Sequence, residues 1–143
     1  MRLLDTNHCS RILDRDPAVI ARLEDLREEY FATCAIVEGE LFYMAYNSDR
    51  REQNLAEVEA FLADIDVLPV DRPAARIYGA LKTGIRRIYG PREKRKKATM
   101  EKLGFQENDL WIASIAISRG LTVVSADGDF ARMQSIIPFA FES

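Results

Sequence analysis

The sequence predicts an α/β fold, a central parallel sheet of about five strands with helices on both faces, and two observations carry that prediction. Short runs of aliphatic and β-branched residues recur at RLL (2–4), YFATC (30–34), DVLPV (66–70), LTVV (121–124) and PFAF (138–141), and stretches with helical periodicity fill the gaps between them. Strands that alternate with helices pair in parallel through crossovers, which covers both faces of the sheet. The acids supply the second observation. Asp5 follows the first run directly and Asp127 follows the fourth, at positions where a buried strand would exclude a carboxylate. In an open parallel sheet, loops leaving the carboxyl ends of adjacent strands line the crevice where ligands bind.

Along the chain, Met1 to Leu4 starts a buried strand that stops at once on Asp5, Thr6 and Asn7. Asn7 or Ser10 then starts a short helix to Leu13, and Pro17 suits the first turn of a second helix to about Glu28. After the second strand, Ala35 to Tyr46 keeps a helical period in which Ile36, Glu40 and Met44 fall at i, i+4 and i+8. Glu40 thereby sets a carboxylate into an apolar stripe, whereas Glu38, on the roughly opposite side, reads as surface charge. Helices over 51–63 and 72–89 flank the third strand, and Gly90-Pro91 breaks the second of them. DLWIASIAI begins a helix from Asp109 to Ser118 that is apolar nearly all round and therefore buried. Its acid stands at the N-terminus, where the helix dipole favours negative charge. The strand LTVV leads into SADGDF (125–130), with Gly128 marking a tight turn, and PFAF closes the set.

Bulk properties narrow the function classes. A chain of 143 residues is the length of one domain, residues 1–143, and such a domain hides roughly two-thirds of its unfolded surface, enough for a core without staples. The longest nearly unbroken apolar stretch, LWIASIAI, is far too short to span a bilayer, and no signal peptide fits the first residues. The expectation is a cytoplasmic protein, away from membranes, in which Cys9 and Cys34 are reduced thiols. The net charge of −3 is unevenly spread: Lys82 to Lys102 holds nine Lys and Arg against two Glu, so this +7 stretch sits on a remainder of −10. A basic arm of that kind, around 89–104 and including Arg92, Lys94, Arg95, Lys96 and Lys97, suggests a polyanionic partner or else a solvated charged surface.

Taken one at a time, the acids have ordinary structural explanations. Asp5 and Asp127 suit turns, Asn108 or Asp109 a helix cap, Asn7 a cap, and Glu40 a surface position. The joint pattern is less easily dismissed, because Asp5, Glu40, Asp109 and Asp127 lie at corresponding ends of four elements that the topology brings together. Two like charges about 5 Å apart repel by about 3 kcal/mol at an effective dielectric near 20. Such a cluster needs cations. Ligands that are all oxygen point to a hard ion, Mg²⁺ or Mn²⁺. His8, Cys9 and Cys34 make a poor zinc set, since adjacent residues seldom chelate one ion and a fourth ligand is missing.

These residues resemble the PIN-domain nucleases, most closely the VapC-type toxins of prokaryotic toxin–antitoxin pairs. LLDTN at the start, VEGELFY after the second strand, NDLWIASIA and TVVSADGDF carry the resemblance in order along nearly the whole chain. It implies a PIN-like three-layer sandwich with strand order 3-2-1-4-5. It also implies an acidic quartet at Asp5, Glu40, Asp109 and Asp127, with Thr6, Asn7, Ser125 and Asp129 as polar neighbours. Asp129 reads either as a weak auxiliary ligand or as a cap for the turn that follows. The implied activity is Mg²⁺- or Mn²⁺-dependent endoribonuclease cleavage that leaves 5′-phosphate and 3′-hydroxyl ends. The implied assembly is a homodimer held in check by a VapB-type antitoxin. Met44 departs from the family, many of whose members have Gly there, and the basic segment is longer than in many relatives. Two readings compete with a nuclease: a module of the same fold that binds nucleic acid without cutting, and a phosphotransferase with Asp5 as acceptor. LLDTN weakens the latter because it lacks the second Asp of a D-x-D loop.

Overall fold

The protein is described by a computed structural model covering residues 1–26, 30–93 and 98–143. Its strands are β1 (Arg2–Leu4), β2 (Phe31–Cys34), β3 (Asp66–Leu68), β4 (Thr122–Val124) and β5 (Phe141–Glu142). They form one sheet in the order β3-β2-β1-β4-β5, and every pairing is parallel. The helices are α1 (Thr6–Leu13), α2 (Pro17–Asp25), α3 (Ala35–Tyr46), α4 (Arg51–Ala63), α5 (Arg72–Tyr89), α6 (Glu107–Arg119) and α7 (Asp129–Gln134). Helices α1 to α4 pack on one another, α6 packs on α5 and α7, and α3 also touches α6. None of the helices among the described residues is long and apolar enough to cross a membrane.

Local chemistry explains where the helices begin. Asp5, Asp16 and Asp71 are the N-caps of α1, α2 and α5, each accepting a backbone N–H from two or three residues on, and Pro17 and Pro73 occupy first-turn positions where no N–H is needed. Helix α6 ends on Gly120, whose φ of 65° lets the N–H of Leu121 turn back to the Ala116 carbonyl at 2.9 Å. Leu3, Leu4, Ala32, Val123 and Val124 form the buried sheet layer, with Val37 and Leu41 from α3 and Leu110, Ile112, Ala113 and Ile115 from α6 against it.

Four expectations shift. Helix α1 begins at Thr6, because Asp5 and not Asn7 caps it. Helix α6 begins at Glu107, so Asp109 lies inside its first turn and caps nothing. The stripe of α3 facing the core is Val37, Leu41 and Ala45, while Ile36, Glu40 and Met44 lie on the more open side. The last strand is Phe141–Glu142, beyond most of PFAF, because its register follows backbone pairing to β4 and the two-pronged contact of Arg2 with Glu142 (2.9 and 3.2 Å) across the sheet.

The segment after α5 is not wholly at the surface. Ala98, Met100 and Phe105 are buried, and the Arg86 Nε donates to the Ala98 carbonyl at 2.9 Å. Within the basic arm, Arg92 is exposed, and Lys94, Arg95, Lys96 and Lys97 lie outside the described residues. Cys9 and Cys34 are both buried free thiols, and burial pushes the Cys9 thiol up to about 12.

Candidate metal centre

Chain direction assembles the site. In a parallel sheet every strand ends at the same edge, so the residues after β1 and β4 emerge side by side; Leu4 pairs with Val124, and the Asp5 N–H reaches the Val124 carbonyl at 3.3 Å. Helix α6 runs into β4 from the opposite direction, which sets its first turn, with Asp109, at that same edge. Helix α3 leaves β2 without an intervening loop and carries Glu40 along it. β1 is flanked by β2 on one side and β4 on the other, so the crevice lies at the switch point of the sheet.

A pocket of about 310 Å³ opens there, lined by Asp5, Thr6, Asn7, Ser10, Glu40, Met44, Gln106, Asp109 and Asp127. A broader hollow of about 650 Å³ adjoins it along α3, sharing Glu40 and Met44 and reaching the exposed Tyr43.

Each acid is held differently. Asp5 is 5% exposed and fully engaged: its Oδ1 accepts the His8 N–H at 2.9 Å and faces His8 Nδ1 at 3.0 Å, and its Oδ2 accepts the Ser125 hydroxyl. Ser125, fully buried, also accepts the Asp127 N–H at 2.9 Å, so one hydroxyl ties the loop after β4 to the acid after β1. Asp127 Oδ1 accepts the Asp129 N–H at 2.9 Å, which turns the chain into α7. Glu40 accepts the Thr6 hydroxyl at 2.9 Å, joining α3 to α1. Asn7 lines the pocket while remaining exposed.

Asp109 is the exception. Its Oδ2 is buried and, among the described residues, has no hydrogen-bond partner. Burial first, then the charges of Asp127, Asp5 and Glu40, and last a hydrogen bond with Asp127, push its carboxyl up to about 7. One carboxylate oxygen from each of Asp109, Asp127 and Asp129 falls inside a 4.8 Å span, which makes these three a candidate cation site. A buried carboxylate oxygen without a partner among the described residues, in a set of oxygen donors, fits a hard divalent ion.

Sequence reasoning placed the four acids and the polar residues around them at one edge, and the structure brings all of these residues there. Reasoning from sequence set His8 beside the acids as a neighbour or surface residue and not as a ligand, but did not name its contact with Asp5, which an i, i+3 spacing at a helix start could have signalled. It also did not find Arg132, whose guanidinium donates to Asp129 Oδ1 at 3.1 Å.

A parallel sheet in the order β3-β2-β1-β4-β5 with an acidic pocket at its switch point defines an α/β protein with its candidate site at the carboxyl edge of the sheet. The PIN domain matches residues 2–136, and the chain belongs to the PIN-domain family. Its relatives there are VapC proteins. It is 36% identical over 113 residues to ribonuclease VapC5 of Mycobacterium tuberculosis, covering 77% of this chain and 73% of that one. It is 31% identical to the tRNA(fMet)-specific endonuclease VapC of Shigella flexneri, covering 86% and 83%. A solved structure of DNA-bound VapBC from Salmonella typhimurium superposes with a TM-score of 0.78 at 29% identity, covering 99% of this chain and 96% of the other.

Proposed function

We propose that the protein is an endoribonuclease dependent on Mg²⁺ or Mn²⁺ and the toxin of a toxin–antitoxin pair, acting in the cytoplasm as a homodimer restrained by a VapB-type antitoxin. The observation that carries this reading is Asp109 Oδ2, a buried carboxylate oxygen without a partner among the described residues, aimed among other acids at the switch point. The relatives named above are ribonucleases, and the solved neighbour is a complex with its antitoxin.

Asp5, Glu40 and Asp109 would hold the ion, directly or through water. When bound, a divalent ion would acidify a water and offset the charge that develops on a phosphodiester. The chain's own residues set the geometry. His8 and Ser125 fix both oxygens of Asp5, and Thr6 fixes one oxygen of Glu40, so two of the acids are oriented before any ligand arrives. Asp127 completes the set or orients the attacking water. Asn7 presents an amide to the mouth of the pocket, where a phosphate oxygen can accept from it. The reaction is a direct hydrolysis with no covalent intermediate, leaving 5′-phosphate and 3′-hydroxyl ends.

The test is a fluorescent RNA incubated with purified protein in Mn²⁺, in EDTA, and with Asp5→Asn or Asp109→Asn. Cleavage in Mn²⁺ alone, lost in EDTA and in both variants, is the expected result, and end mapping checks the phosphate. Binding of RNA without cleavage in Mn²⁺ would move the protein to a non-catalytic module of the same fold. Unchanged turnover in either variant would overturn the metal centre.

A further inference from the structure

Helix α3 turns its two sides to different uses. Val37, Leu41 and Ala45 enter the core, while Ile36, Gly39, Glu40 and Tyr43, at i, i+3, i+4 and i+7, share the open side. The hollow of about 650 Å³ runs along that side, with Glu40 and Met44 common to it and the acidic pocket, and Asn108 of α6 also lining it. Tyr43 is 70% exposed, and among the described residues its hydroxyl makes no hydrogen bond and its ring stacks on no other. The rings of Tyr46, Tyr78 and Tyr89 each pair with a neighbour.

Gly39 precedes Tyr43 by one turn on the same face. Glycine inside a helix weakens it, and nothing in the packing asks for one here: beyond the helix's own backbone, a side chain at Gly39 would meet no atom within 4 Å. Its absence leaves the hollow open beside an unstacked ring.

Charge decides what fits such a space. Glu40 is the one charged residue lining the hollow among the described residues, so a phosphate is repelled there. A nucleobase is flat and uncharged, and it stacks on an aromatic face. Side chains three apart on a helix are about 5–6 Å from one another, so Tyr43 stands one turn beyond Glu40. A strand that lays a phosphate in the acidic pocket therefore brings an adjoining base to the ring.

We propose that Tyr43 is a stacking platform for a base of single-stranded RNA beside the phosphate that is cut, and that Gly39 keeps the place of that base open. This rests on the reading of the acidic pocket as a nuclease centre.

The probe is an oligouridine carrying one 2-aminopurine, a fluorescent base that dims when it stacks. Its emission is read on full-length Asp109→Asn protein, which keeps the RNA whole, alone and with Tyr43→Phe, Tyr43→Ala or Gly39→Leu added. Dimming is expected with Tyr43 and with Tyr43→Phe. It is expected to be lost in Tyr43→Ala and Gly39→Leu, with RNA binding about tenfold weaker. In proteins that keep Asp109, the same two changes should raise KM on RNA far more than they lower kcat. Gly39→Leu should melt no lower than the wild type, since leucine is the better helix former, so its loss of binding is not a loss of fold. Dimming or affinity that survives Tyr43→Ala would overturn the proposal. So would a Tyr43→Ala protein that loses RNA only because sedimentation shows it has lost its dimer, which would assign the ring to an interface between copies. If Tyr43→Ala does not fold, Gly39→Leu decides by the same criteria. A wild type that cuts no RNA would bring down the nuclease reading, while the dimming, which needs no cleavage, would still decide the stacking.

Discussion

Replacing Asp109 by Asn removes a charge that the fold holds at a cost, and the size of the effect follows from the surroundings of that side chain. Burial, followed by the charges of Asp127, Asp5 and Glu40, raises its carboxyl from 3.8 to about 7. A group whose native pKa exceeds its unfolded value takes up protons on folding between the two. Stability therefore falls as pH rises from about 4 to about 7, and the loss is complete above that. At about 1.4 kcal/mol per pH unit the interval amounts to about 4 kcal/mol, and screening of a carboxyl that keeps part of its contact with water reduces this to about 2 kcal/mol. In EDTA, the Asn variant should match the wild type at about pH 4 and exceed it by about 2 kcal/mol at about pH 8, or about 6 °C in melting temperature. The Asn amide can also donate to Asp127, which the ionised acid cannot. Urea denaturation of both proteins across that pH range is the assay. A difference that stays flat with pH, or a wild type that is the more stable at pH 8, would refute the placing of Asp109 in a self-repelling cluster.

Millimolar Mn²⁺ should raise the melting temperature of the wild type, since binding to the native state alone adds about 1.4 kcal/mol at ten times Kd; Glu40→Gln should blunt the shift, and a melting curve indifferent to Mn²⁺ in the wild type contradicts the site. Ser125→Ala should cost about 1–3 kcal/mol in a denaturant titration, because it strips Asp5 of a donor and the Asp127 N–H of its acceptor inside the core. An unchanged midpoint would show that water replaces the hydroxyl. Changing Arg92, Lys94, Arg95, Lys96 and Lys97 to Gln should lower kcat/KM on RNA far more than kcat and flatten the salt dependence, by about 0.7 in logarithmic slope for each phosphate that is no longer neutralised. If antitoxin affinity falls while RNA kinetics hold, the arm serves the inhibitor; if neither moves, it is solvated surface.

Sequence made the acids legible because polarity interrupts apolar runs so abruptly at Asp5 and Asp127, and helix periodicity located Glu40 on α3. Helices α3, α4 and α5 were readable to the residue because their patterns are long, and α5 is further bounded by Asp71, Pro73 and Gly90. Helix α7 was not, since six residues give too little period to distinguish a helix from a turn. Nor was the inward stripe of α3, because a helix apolar on most sides leaves several candidate stripes and only the neighbours choose Val37, Leu41 and Ala45. The contacts of Arg132 were invisible for a different reason: its partners at 89 and 103–105 are far away in sequence, and nothing in the residue's own surroundings announces them.

Tyr78 and Trp111 stack with their rings 3.8 Å apart and 3° from parallel, where α5 crosses the first turns of α6. Trp111 is the chain's one tryptophan, and it follows Asp109 by two residues. Around the same junction, Lys82 donates to the Tyr78 hydroxyl at 3.1 Å and to Glu107 at 2.6 Å, and Tyr78 donates to Glu107. The one tryptophan thus stands on the turn that carries Asp109, stacked on a ring whose hydroxyl bonds to both Lys82 and Glu107. Tryptophan emission from the unlabelled protein therefore reports on the surroundings of the turn that carries Asp109.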